Sequence, residues 1–249
     1  MGLSEEDIQF IEEQLTAPFN SVGRYEEYFR PKLQMHEALC STAIATVKEI
    51  LSPLVTEHSS RFFCRIDDTH TCKTPESIVE KIRRSQVRAE QQKGKGKTSE
   101  IYNLENFLST MTDLARFRIV CNFLSDVEKV TKVIRESEKI KNHLTVGEPK
   151  NSINQRGRTS GERSVKFILE HKSWSGLFIE IQIMTQLEEA WDKKDHYLVY
   201  EKRRSSRKTD EELFRNNLDA KMFAMSELLY VADNYFEQLR KEEEQEEDE

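Results

Sequence analysis

LFIEIQIMT, residues 177–185, repeats with a period of two: Ile179, Ile181 and Ile183 fall on one side of the chain, and Phe178, Glu180, Gln182 and Met184 on the other. Three isoleucines in five residues favour a strand over a helix. Glu180 sits at its centre, and a carboxylate in so apolar a stretch needs either water or a partner. Two readings stay open at this point. The stretch is an edge strand with Glu180 in solvent, or it is a sheet strand that presents Glu180 to a cleft, where it binds a metal or takes a proton.

Working outward, SVKFILEH (164–171) is a second strand, joined to the first by a turn at Lys172–Gly176. RFRIVCNF (116–123) is a third, RFFCRI (61–66) a short fourth, and HLTV (143–146) a candidate fifth. Helical spacing marks Ser4–Leu15, with Ile8, Ile11 and Leu15 on one side, and Tyr25–Leu51, with Leu33, Leu39, Ala43, Val47 and Ile50 as its stripe and Pro53 after its end. Pro75 opens a helix through Gln92, NLENFLSTMTD holds a short one, and Ser125 and Asp126 begin another. A helix through Ala190, Trp191 and Tyr197 and a last one from Asp210 to about Arg240 complete the pattern. KGKGKTSE (93–100) and EPKNSINQRGRTSGE (148–162) read as polar loops.

The expectation is an α+β fold: a mixed sheet of four to five strands flanked by helices, with helical N- and C-terminal extensions. It divides into an extension over residues 1–60, a core over 61–202, a helix over 203–240 and a disordered acidic tail over 241–249. That tail, KEEEQEEDE, carries seven carboxylates and one lysine and accounts for most of the net charge of −7. Cys40, Cys64, Cys72 and Cys121 are scattered, without zinc spacing, as expected of reduced thiols in a cytoplasmic protein. The sequence shows no secretory signal and no apolar run near the roughly 20 residues of a span, so no membrane role is expected.

A second carboxylate bears on Glu180. Asp113 stands just before the strand whose Arg116 and Arg118 share a side, and a carboxylate beside arginines at a sheet mouth suits Mg²⁺ with a triphosphate. Lys73 precedes the helix at Pro75, and Lys81 and Arg84 lie on one side of it. Arg156, Arg158 and Arg163 make the later loop basic.

The ordered series KTPESIVEKIRR, DLARFRIVC, LSDVEKVTKVI, SGERSVKFIL, IEIQIMT and AWDKKDHYLVYEK resembles the synthetase domain of the RelA/SpoT family over about residues 61–202. The resemblance implies a nucleotidyltransferase-like fold and a Mg²⁺-dependent pyrophosphokinase of the small, synthetase-only kind that acts in the stringent response. It would transfer the β,γ-pyrophosphate of ATP to a ribose 3′-hydroxyl. It implies Asp113 and Glu180 as metal ligands, with Glu180 also the base. Lys73 and Lys81 would hold ATP phosphates and Arg118 would stack on adenine, with Ser77, Arg84 and Arg116 completing the ATP side. Glu162, Arg163, Ser164, Lys166, Gln182 and His196 would form the acceptor side.

Two departures stand out. SGERSVK has Glu162 where the family places a guanine-stacking tyrosine and Lys166 where it places a histidine, and Thr71 falls where a second adenine-stacking arginine is usual, with only Arg65 and His70 nearby. The acceptor expectation therefore covers GDP or GTP, an adenine nucleotide, or the 3′ end of tRNA in a toxin-type member, for which Lys202, Arg203, Arg204, Arg207 and Lys208 offer a basic surface. A catalytically silent nucleotide-binding module is the alternative of another class. A homo-oligomer is a further expectation.

Overall fold

Alternating apolar strands bury one face only if something covers it, and here a long helix and a shorter one do so together. The computed structural model describes residues 22–57, 62–92, 101–154, 161–200 and 210–247. Helix α1 spans Val22–Glu57 and strand β1 Cys64–Asp67, followed by α2 (Pro75–Gln92) and α3 (Phe107–Thr110). Then come β2 (Ala115–Cys121), α4 (Leu124–Glu136), α5 (Glu138–Lys141), β3 (Leu144–Val146) and β4 (Lys150–Asn151). Strands β5 (Val165–His171) and β6 (Phe178–Thr185), α6 (Gln186–Asp195), a π-helical turn at His196–Tyr200 and α7 (Asp210–Glu247) complete the order. The expected helix at Ser4–Leu15, the 93–100 loop, Arg156, Arg158 and the basic positions from Lys202 to Lys208 lie outside the described residues.

The sheet is mixed and six-stranded in the order β1-β2-β6-β5-β3, with β4 also paired to β5. Only β2 and β6 run parallel. The strand beyond the expected five is β4, two residues inside the loop read as wholly irregular. It escaped the pattern because its burial is nil, so no alternation marks it.

One sheet face is the core. Phe117 and Ile119 of β2, Ile179, Ile181 and Ile183 of β6, and Phe167 and Leu169 of β5 pack with Leu39, Cys40, Ala43, Ile44, Val47 and Leu51 of α1 and with Val127, Val130 and Ile134 of α4. By length and composition alone α1 is apolar enough to cross a membrane, but its apolar stripe is committed to the sheet. The expected N-terminal extension is thus, from Val22 on, a core element. It also runs past Pro53: the proline costs the helix one hydrogen bond, while Leu51 and Leu54 stay packed and the Thr56 hydroxyl donates to the Ser52 and Pro53 carbonyls. Gly176 closes the β5–β6 hairpin at φ +81°, with Ser109 where a side chain would stand. The four cysteines are free, and burial pushes Cys40 up to about 12 and Cys64 and Cys72 up to about 11.

Helix α7 also departs from expectation. It continues through Glu247, so residues 241–247 are helical where a disordered tail was expected. Ion pairs one turn apart, Arg240–Glu244 at 3.0 Å and Lys241–Glu237 at 3.7 Å, carry the helix into the acidic run.

The inner side of α7 is polar. Asp233 accepts a 2.6 Å hydrogen bond from the buried Thr185 hydroxyl, the Glu237 carboxylate accepts from the Ser125 amide, and Arg240 pairs with the fully buried Asp126 at 2.9 Å. Burial pushes the Asp233 carboxyl up to about 6, against the opposing pull of Thr185 and Arg163. A carboxyl raised on folding binds its proton more tightly in the native state, so stability falls as pH rises from about 4 to about 6. Asp233→Asn keeps an acceptor for Thr185 and removes the charge. It is expected to stabilise the protein by about 1–3 kcal/mol at pH 8 and by almost nothing at pH 4. Denaturation midpoints at the two pH values check this; an equal gain at both would contradict it.

Candidate active site

The second sheet face is left open and carries the chemistry. Register sets the rows: Arg116 of β2 stands opposite Glu180 of β6, and Arg118 opposite Gln182, which faces Lys166 of β5 on its other side. Because strands alternate, the isoleucines that anchor β6 in the core oblige Glu180 and Gln182 to face away from it. The expected two-sided reading of LFIEIQIMT holds, and the edge-strand alternative fails: β6 is the central strand of the described sheet.

A cavity of about 350 Å³ lies over this face. Lys73, Ser77, Lys81, Arg84 and Asp113 line one part, Glu162, Lys166 and Trp191 another, and Arg116, Arg118, Glu180, Gln182 and His196 the floor and rim. A second hollow of about 600 Å³ shares Arg116, Arg118, Gln182, Asp192 and His196, and adds Arg65 and His70. Of the fourteen side chains expected at the site, twelve line the first cavity.

Asp113 is the most constrained of them. Its two oxygens accept from Lys73 Nζ at 2.8 Å and Lys81 Nζ at 2.7 Å. Burial alone would raise its carboxyl, but the two ammonium groups overcome that and hold it well below the usual carboxylate range. Lys73, almost wholly buried, is pulled down by burial against the upward pull of Asp113. Thr74 caps the N-terminus of α2, its hydroxyl accepting from the Ser77 amide at 3.3 Å, which fixes the helix start beside Lys73 and Ser77 at the cavity.

Around Glu180 the contacts form a chain. Gln182 Nε2 donates to Glu180 Oε1 at 2.7 Å, and Gln182 Oε1 accepts from Arg118 Nε at 3.2 Å. Arg118 also pairs with Asp192 at 2.6 Å. Lys166 pairs with Glu162 at 2.5 Å; burial would lower its ammonium, yet Glu162 and Glu180 outweigh burial and raise it, so it stays charged at neutral pH.

Two expected acceptor-side residues are elsewhere. Arg163 turns away from the cavity and is buried against α7, where Nη2 donates to Glu227 at 2.6 Å, Nε to Ser226 at 3.3 Å and Nη1 to the Ile153 carbonyl. Alternation explains it, since a residue next to Glu162 must face the other way. Ser164 is also buried, its amide and carbonyl bonded to Ser152 and its hydroxyl donating to Glu162. Trp191 and Asp192 were missed as site residues, because nothing local to α6 tells which turn of it meets the sheet. Glu189, one turn along, fixes Arg65 beside the second hollow.

No group of three or more His, Cys, Asp or Glu among the described residues could hold a metal by itself. Asp113 and Glu180 instead offer hard oxygen donors in one cavity, each oxygen of Asp113 keeping a lone pair beyond its lysine. That donor set fits Mg²⁺, which takes one or two carboxylates and completes its shell with phosphate and water.

Fold and site define a class: α+β domains that hold a cation-lined, two-carboxylate cleft on the open face of a mixed sheet. The chain belongs to the RelA/SpoT family, with residues 70–205 matching the region found in RelA/SpoT proteins. No curated protein sequence matches the chain. Among solved structures it is similar to small alarmone synthetase 1 from Bacillus subtilis bound to its product pppGpp, with a TM-score of 0.63 and 20% identity over 87% of this chain and 98% of that one. The same Bacillus subtilis protein bound to AMPCPP gives a TM-score of 0.57 and 20% identity over 88% and 99%. A GTP pyrophosphokinase family protein from Streptococcus pneumoniae gives 0.62 and 16% over 86% and 93%. At these identities the likeness is one of fold, that of the synthetase-only members.

Proposed function

We propose that the protein is an ATP:nucleotide 3′-pyrophosphotransferase, an alarmone synthetase in its chemistry. The observation that carries the reading is Asp113 and Glu180 in one cavity with Lys73, Lys81, Arg84, Arg116 and Arg118 around them. A triphosphate brings about four negative charges, and a site that holds it must supply cations already in place. Lys73 and Lys81, now on Asp113, would turn to the phosphates, and Arg118 would meet adenine in the hollow shared with Arg65 and His70. The Bacillus subtilis protein of similar fold, with crystal structures bound to pppGpp and to AMPCPP, supports nucleotides as the ligands.

Mg²⁺ held by Asp113 and Glu180 would supply charge neutralisation on the triphosphate. Glu180 takes the proton from the acceptor 3′-hydroxyl as its oxygen bonds to the β-phosphorus. The bridging bond between the α- and β-phosphates breaks, and AMP leaves. Gln182 orients Glu180 through its amide, and Lys166, charged at neutral pH, steadies Glu162. In place of a stacking ring, Glu162 offers hydrogen-bond acceptors to a base edge carrying N–H donors, which favours guanine.

The acceptor is tested with γ-labelled ATP, Mg²⁺ and, separately, GDP, GTP, ADP, AMP and deacylated tRNA. Label is expected in a guanine nucleotide. Label in tRNA would replace this acceptor by the toxin-type one, and ATP binding without transfer to any acceptor would leave the silent module.

A further inference from the structure

We infer that α7, of which no described side chain lines the cavity, is the positioning element of its acceptor side: through Met222, Ser226 and Glu227 it fixes Trp191 and the segment Gly161–Ser164 on which Glu162 stands. The kinetic consequence rests on the pyrophosphotransferase reading; the geometric one does not.

Residues 161–166 alternate as they lead into β5. Glu162 and Lys166 face the cavity, and Arg163 faces α7. Where Arg163 goes therefore fixes where Glu162 points. A buried guanidinium must place its donors, and three of its partners lie within two turns of α7: Ser226, Glu227 and the ring of Tyr230, 4.0 Å below it. Ser226, fully buried, joins side chain to backbone, since its hydroxyl accepts from Arg163 Nε and donates to the Gly161 carbonyl.

The adjoining part of the lining is tied to the neighbouring turn of α7. Trp191 lines the cavity from α6, and its indole N–H donates to the Met222 carbonyl at 2.7 Å, one helical turn before Ser226. Gly161 lies flat on that indole: a Cβ there would come within 2.3 Å of Trp191 Cζ2. Met222 and Ser226 thus hold Trp191 and residues 161–164 packed against each other on one side of the cavity. Below them the helix is docked by Thr185–Asp233, Ser125–Glu237 and Asp126–Arg240, in addition to the packing of Met222, Leu218 and Leu229 with Trp191.

Ser226→Val in the full chain tests this, with Ser226→Thr as the conservative control. Three quantities are read: acceptor KM, AMPCPP affinity with Mg²⁺ by calorimetry, and backbone hydrogen exchange of 161–164. Ser226→Val is expected to raise acceptor KM about tenfold, the worth of one or two buried hydrogen bonds. AMPCPP affinity should stay within about twofold, exchange in 161–164 should quicken while that of β6 does not, and Ser226→Thr should restore all three. If Ser226→Val does not fold, Gly161→Ala, which presses on Trp191 and leaves α7 untouched, is expected to give the same split. Unchanged exchange in 161–164, or a loss of AMPCPP affinity in step with acceptor KM, overturns the inference. If the wild-type protein transfers nothing, the pyrophosphotransferase reading falls while the exchange experiment still decides this one.

Discussion

Glu180→Gln is expected to lower the transfer rate by at least about 10³-fold while leaving the melting temperature within a degree or two of the wild type. The size of the effect follows from what the substitution removes. A neutral amide cannot take the hydroxyl proton, and it is a poor ligand for Mg²⁺ beside phosphate. The smallness of the structural effect follows from where Glu180 stands. Its strand is held by Ile179, Ile181 and Ile183 in the core on the other face, all fully buried. The hydrogen bond that it accepts from Gln182 Nε2 at 2.7 Å is kept by the amide oxygen of glutamine. Initial rates with saturating ATP, together with thermal denaturation, check both halves. Full activity would remove Glu180 from the chemistry.

Asp113→Asn is expected to cost both activity and stability. The carboxylate bridges Lys73 and Lys81, and Lys73 is almost wholly buried. Removing the charge leaves an ammonium in low dielectric beside Arg116, a neighbour that already opposes its charge. Breaking a fully buried pair costs roughly 3–5 kcal/mol; with Lys81 partly exposed, about 2–3 kcal/mol is expected at pH 7. The sign of the pH dependence is opposite to that at Asp233. The Asp113 carboxyl is held well below its unfolded value, so its contribution is present above about pH 5 and is lost as pH falls through the unfolded value towards the folded one. The deficit of the variant should therefore shrink between pH 5 and pH 3. Urea titrations at pH 7 and pH 3.5 measure it, and an equal deficit at both would show that the lysines do not depend on the charge. Transfer should fall by at least about 10²-fold, as the loss of one charged contact to the phosphates requires.

Much of the fold was legible because it is written in local periodicity. The isoleucines of β6 specify both the strand and its buried face, and the stripe of α1 marks the helix and its buried side, though not that the sheet is what it covers. What periodicity cannot convey is pairing at a distance. Helix α7 was recognisable as a helix, but its docking side is built from Ser226, Asp233, Glu237 and Arg240, which in sequence look like solvent-facing residues. Only the partners, Arg163, Thr185, Ser125 and Asp126, make them interior. Pro53 misled for a related reason: the residues that keep the helix going past it are held by tertiary packing.

The site divides in the same way. Asp113, Arg116, Arg118, Glu180 and Gln182 were readable because they sit at or on strands whose facing is fixed by alternation. Arg163 was placed on the acceptor side with Glu162, although the same alternation sends neighbours to opposite faces. The parity was in the sequence; the shared motif obscured it. Trp191 and Asp192 had no such signal, since their position depends on how α6 crosses the sheet.

In the proposed reaction the pyrophosphate group moves as a unit from ATP to a 3′-hydroxyl, and the by-product reports on it. With Mg²⁺, ATP and the guanine nucleotide acceptor, AMP should accumulate one for one with the pyrophosphorylated acceptor, and neither should form with Glu180→Gln. Accumulation of ADP, or of AMP and free pyrophosphate without a modified acceptor, would contradict it.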